Sequence, residues 1–128
     1  MRYMGIDSIQ IVSVPVSDQE RAKSFYVDVL GLRLVRDNPM EPGRRWVEVA
    51  PPGSPTGITL VTWFPTMPPG SLKGLVLRTG DVEADAARLR AAGVAVEGPQ
   101  DAPWGRFLTL DDPDGNGIVL AGPPPGGG

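Results

Sequence analysis

From Ser8 to Val16 the chain alternates, with Val12, Val14 and Val16 on one side and Ile11, Ser13 and Pro15 on the other. A period of two marks a strand. Pro15 has no N–H to give to a ladder, which predicts an edge or a bulge at the strand end. The period then lengthens. Ala22, Phe25, Tyr26, Val29 and Leu30 recur at helical spacing and predict one apolar stripe. Ser17 with Glu20 three residues on forms a capping box, and Gly31 predicts a left-handed stop. Three strands follow, over Leu32 to Asp37, Arg45 to Ala50 and Ile58 to Phe64, separated by turns rich in Pro and Gly.

The same order of events then returns. Lys73 to Thr79 reads as a strand; Asp81 caps a helix with Val82, Ala86 and Leu89 inward, and Gly93 ends it. Val94 to Glu97, Gly105 to Asp111 and Ile118 to Ala121 are the strands that follow. The match reaches single residues: Gly57-Ile58-Thr59-Leu60 against Gly117-Ile118-Val119-Leu120, and Arg45-Trp46-Val47-Glu48-Val49 against Arg106-Phe107-Leu108-Thr109-Leu110. Self-similarity of this kind predicts a duplicated strand–helix–three-strand unit. The expected organisation is one α+β domain over residues 1–122, with modules at 8–64 and 72–122 and a linker at 65–71. Residues 123–128 contain only Pro and Gly, and a disordered tail is expected there.

Composition narrows the chemistry. A length of 128 residues with 41% hydrophobic and 21% charged side chains is that of a globular domain with a real core. A net charge of -3 argues against nucleic-acid or acidic-membrane partners. No apolar run is long enough to span a bilayer, and the opening Met1-Arg2-Tyr3-Met4-Gly5 has no signal-peptide core, so a cytoplasmic location is expected. The chain has no Cys and no His. That removes thiolate nucleophiles, disulfides, imidazole bases and the commonest transition-metal ligands.

Val16-Ser17-Asp18-Gln19-Glu20-Arg21-Ala22, leading into Phe25-Tyr26 and Leu30-Gly31, and the turn Asp112-Pro113-Asp114-Gly115-Asn116-Gly117 ahead of the last strand resemble the vicinal oxygen chelate superfamily of glyoxalases, bleomycin-resistance proteins and extradiol dioxygenases. The resemblance runs over nearly the whole chain. It implies two βαβββ modules, each a curved mixed sheet with a helix on its convex side, and concave faces that enclose a ligand cavity. It also implies homodimers, and in the family's enzymes a divalent metal held by His, Glu or Gln from the first and last strands of each module. Carried over one by one, those ligand positions fall on Ile11, Thr59, Gly74 and Val119. Only the hydroxyl of Thr59 is a donor, so neither a metal nor another cofactor is expected.

The period-two rule assigns the concave face to Ile11, Ser13, Trp46, Glu48, Thr59, Val61, Trp63, Gly74, Val76, Arg78, Phe107, Thr109 and Val119. Aromatics mixed with isolated polar groups suit a small-molecule pocket. They suit the filling of a core as well. Glu48 reads either as a base or cation-binding group or as a solvated or paired rim carboxylate; Arg78 reads as a clamp for carboxylate or phosphate, as a partner for Glu48, or as a side chain reaching to the rim. The first functional reading is therefore a metal-free protein that binds, and in the manner of antibiotic-sequestering superfamily members holds, an aromatic or amphipathic compound. The alternative is a metal-independent lyase, isomerase or epimerase with Glu48 and Arg78 as its catalytic groups. A third is a module that only associates with a partner chain.

Overall fold

A computed structural model describes residues 5–123. The chain divides into two compact units, Met1–Thr66 and Met67–Gly128. The first holds β1 (Ile11–Pro15), α1 (Gln19–Ser24) continued by a π-helical turn (Phe25–Val29), β2 (Arg33–Glu41), β3 (Arg44–Ala50) and β4 (Gly57–Val61). The second repeats the order with β5 (Leu75–Arg78), α2 (Val82–Ala91), β6 (Glu97–Ala102), β7 (Gly105–Asp111) and β8 (Gly117–Gly122). The sheets run β1-β4-β3-β2 and β5-β8-β7-β6. In each, the first strand is parallel to the last and the other pairs are antiparallel. The duplicated α+β plan is thus present strand for strand, and Pro15 ends an edge strand of its sheet.

Each unit buries one face of its sheet under its helix. Val14, Val47, Val49, Ile58 and Leu60 join Ala22 and Tyr26 of the helical segment in the first unit; Leu108, Leu110, Ile118 and Leu120 join Val82, Ala86 and Leu89 in the second. These are the positions that the strand period and the helical stripe placed inward. Gln19, 7% exposed, ties α1 to its sheet by donating to the Arg45 and Leu60 carbonyls, both at 2.7 Å, and accepting from the Arg45 amide. Lys23 and Arg45 close on Asp37 at 2.8 Å each, a second tie from helix to sheet.

Several boundaries move. Asp18, not Ser17, caps α1: its carboxylate accepts from the Glu20 and Arg21 amides. Gly31 (φ +86°) ends the segment, with the Leu32 amide bonded to the Tyr26 carbonyl. That return is one residue longer than a Schellman closure, in keeping with the π-helical turn it ends, and it takes a left-handed residue that only Gly enters without strain. The strand expected over Val94 to Glu97 begins only at Glu97, and β2 runs on to Glu41. β4 stops at Val61, so Trp63 lies beyond the strand, and Gly74 (φ +80°) precedes β5. The division between the two units falls at Thr66 and Met67, and just past the segment expected as a linker the Leu72 amide donates to the Asn116 side chain while Gly117 donates to the Leu72 carbonyl. Of the expected tail, residues 124–128 lie outside those described. No helix among the described residues is long and apolar enough to cross a membrane.

Candidate functional site

The face of each sheet turned away from its helix carries the candidate groups. In the first unit, pairing aligns Ser13, Thr59, Glu48 and Arg36 in one row across the sheet. Residues aligned across strands share a face, and two pairs in this row are in side-chain contact. The Ser13 and Thr59 hydroxyls lie 3.2 Å apart. Glu48 Oε1 accepts from Trp46 Nε1 at 3.0 Å and faces Arg36 Nε at 3.5 Å. Its other oxygen lies over Gly57, where an added Cβ would collide with it. The carboxylate is thus seated by a cation, an indole N–H and a missing side chain. Ile11 and Trp46 are half-buried, whereas Thr59 and Val61 are closed off at 2% exposure. Trp63, past the strand, lies against Phe64 and under the Arg44 guanidinium, 5.8 Å from its ring centre.

In the second unit, Arg78, Ala121, Phe107 and Gln100 form one row, and Val76, Val119, Thr109 and Glu97 the next. Phe107 is half-buried, and Trp104 of the β6–β7 turn stacks on it with centroids 5.1 Å apart and planes at 28°. Trp104 is 58% and Val76 57% exposed. Arg78 is exposed and has no hydrogen-bond or ion-pair partner among the described residues. Arg106, on the helix side, bridges Glu83 of α2 and Asp101 of β6, and both contacts raise its pKa. Glu48 and Arg78, named together for the enzymatic reading, belong to different units.

A surface depression of about 640 Å³ lies elsewhere, between the start of α1 and the β2–β3 hairpin. Its cations are engaged: Arg45 with Glu20 and Asp37, and Arg44 with Glu41. Hydrogen bonds from Arg45 and then Lys23 hold the Asp37 carboxyl down at about 2, while the Asp37 bond raises Lys23 and Arg45. Paired in this way, the groups brace the helix against the sheet. A smaller hollow of about 320 Å³ reaches the sheet face of the second unit at Glu97, Thr109 and Asp111.

The positions where the fold's enzymes hold a divalent ion carry no ligand set. Ile11 and Val119 are hydrocarbon and Gly74 has no side chain. The Thr59 hydroxyl is engaged with Ser13. A hard or borderline cation needs several O, N or S donors at these places, and the residues present do not fit one. Among the described residues no three His, Cys, Asp or Glu side chains converge. Trp104 and Gly57 escaped the strand-phase argument. One stands in a turn and the other has no side chain, although the exposed aromatic beside a strand start was visible in the sequence.

Duplicated βαβββ units with a half-open face opposite each helix define the class of small-molecule-binding and enzymatic folds to which the resemblance pointed. Residues 5–120 match the Glyoxalase/Bleomycin resistance protein/Dioxygenase superfamily, and the chain belongs to that superfamily. Among solved structures it is similar to TnmS3, an antibiotic binding protein from Streptomyces sp. CB03234, with 58% identity, TM-score 0.91 and coverage of 94% of this chain and 99% of that one. A superfamily member from Sphaerobacter thermophilus DSM 20745 is 36% identical over 91% of this chain and 98% of that one, with TM-score 0.84. The uncharacterized protein YetH of Bacillus subtilis is 34% identical over 90% of this chain and 98% of its own length.

Proposed function

We propose that this protein binds a small aromatic or amphipathic compound without a metal, and holds it rather than transforming it. The observation that carries this reading is the exchange at the ligand positions. Ile11, Thr59, Gly74 and Val119 supply no donor set, while the same sheet faces keep Trp46, Phe107 and a few polar groups. Apolar walls with sparse polar contacts orient a ligand by shape and stacking. The 58% identity to an antibiotic binding protein supports an antibiotic-like compound as the ligand. A base role for Glu48 is disfavoured by its partners, since Trp46 and Arg36 both engage one of its oxygens.

The test is a screen of small metabolites and antibiotics by tryptophan fluorescence. A saturable change is expected, and Trp46→Ala should weaken the hit by roughly 1–3 kcal/mol, as loss of an aromatic anchor does. A hit that binds undiminished in Trp46→Ala and Trp63→Ala would remove the first unit's face from the site. Turnover of the compound would contradict the holding role.

A further inference from the structure

We propose that the open face of the second unit is a subsite for planar aromatic acids, with Trp104 and Phe107 taking the ring and Arg78 taking the acid group. The proposal rests on the binding role above and assigns it a ligand chemistry.

Three observations converge on one row of the sheet. The first is a cation without a partner. Nine of the eleven basic residues among those described have a hydrogen-bond or ion-pair partner, whereas Arg78 at the end of β5, like Arg33 in the other unit, is exposed and unpaired. A guanidinium left free beside apolar surface is a bidentate site for carboxylate, sulfonate or phosphate. The second is an aromatic pair two strands along that row, before Gln100 at its end. Trp104 stacks on Phe107 and is still 58% exposed. The third is the floor between them. Arg78 aligns with Ala121 and Ala121 with Phe107, so only a methyl group separates cation from ring. Val76 and Val119 continue that floor one row further.

The spacing selects the ligand. Neighbouring strands lie about 4.8 Å apart, so Arg78 and Phe107, two strands apart, have backbones about 10 Å apart. A flat ring system against the Trp104–Phe107 stack lies over Ala121 and brings an acid substituent under the Arg78 side chain. Long unbranched anions would leave the aromatic pair uncovered, and neutral aromatics would leave the guanidinium unused.

The experiment is calorimetric titration of the full chain with 2-naphthoate and with its neutral counterpart 2-naphthamide. Naphthoate should bind about ten-fold or more tightly, the scale of one hydrogen-bonded charge contact. Arg78→Gln should abolish that preference and leave naphthamide affinity unchanged, and Arg78→Lys should restore part of it. Trp104→Ala should weaken both probes. Equal binding of the two probes, or a preference that survives Arg78→Gln, overturns the acid subsite and leaves the broader binding role standing. No binding of naphthoate at millimolar concentration overturns it too, while the wider fluorescence screen judges the binding role separately.

Discussion

Glu48 shows how one carboxylate is held on an open sheet face. One oxygen is shared by the Trp46 indole N–H and Arg36, and the other occupies the space that Gly57 leaves empty. Gly57 has ordinary strand geometry, so the glycine is there for room and not for backbone freedom. Gly57→Ala should therefore cost about 1 kcal/mol, at the low end for overpacking because the carboxylate can move. It should also shift Trp46 emission as the indole loses its acceptor. In a Glu48→Ala background the same substitution should cost almost nothing, and denaturant melts of the four proteins check that coupling. Asp37 makes a separate prediction. Its folded carboxyl titrates at about 2 against an ordinary 3.8. The stability it contributes is full above the ordinary value and is lost as pH falls through that interval toward 2. Asp37→Asn should lie roughly 1–2 kcal/mol below the parent at neutral pH, and the difference should close near pH 2.

Among the elements, α1 offers the sharpest contrast between two adjacent capping residues. Asp18→Ala should lose about 1 kcal/mol, because two helix amides depend on that carboxylate. Ser17→Ala should lose little, since the Ser17 hydroxyl accepts from the exposed Arg21 side chain instead. Thermal melts of the two variants decide between the capping box read from the sequence and the cap one residue later. Elements with strong periods were legible in advance. The inward set of α2, Val82, Ala86 and Leu89, and the span of β7, Gly105–Asp111, stand where the pattern put them. β6 was not legible, because Glu97-Gly98-Pro99-Gln100-Asp101-Ala102 carries almost no apolar signal. It is an edge strand with an irregular register, and the half-buried Val94 and Val96 only lead into it. Trp63 was assigned to the sheet face because alternation continues past Val61, but pairing ends there. Alternation marks a face only while the ladder persists.

At the scale of the whole chain, duplication explains why the fold was readable and the chemistry only partly so. Both units build the same strand order over an apolar core, while the positions at which the resemblance places metal ligands carry Ile, Thr, Gly and Val. The proposed binding role draws on Trp46 and its seated carboxylate in one unit and on Arg78 beside Trp104 and Phe107 in the other. Metal-free binding can be read by native mass spectrometry of the chelator-treated full chain against a panel of antibiotics. An organic adduct of defined mass should survive chelation and gain nothing from added zinc, manganese, nickel or iron. An adduct that vanishes on chelation and returns only with a divalent ion would contradict metal-free binding.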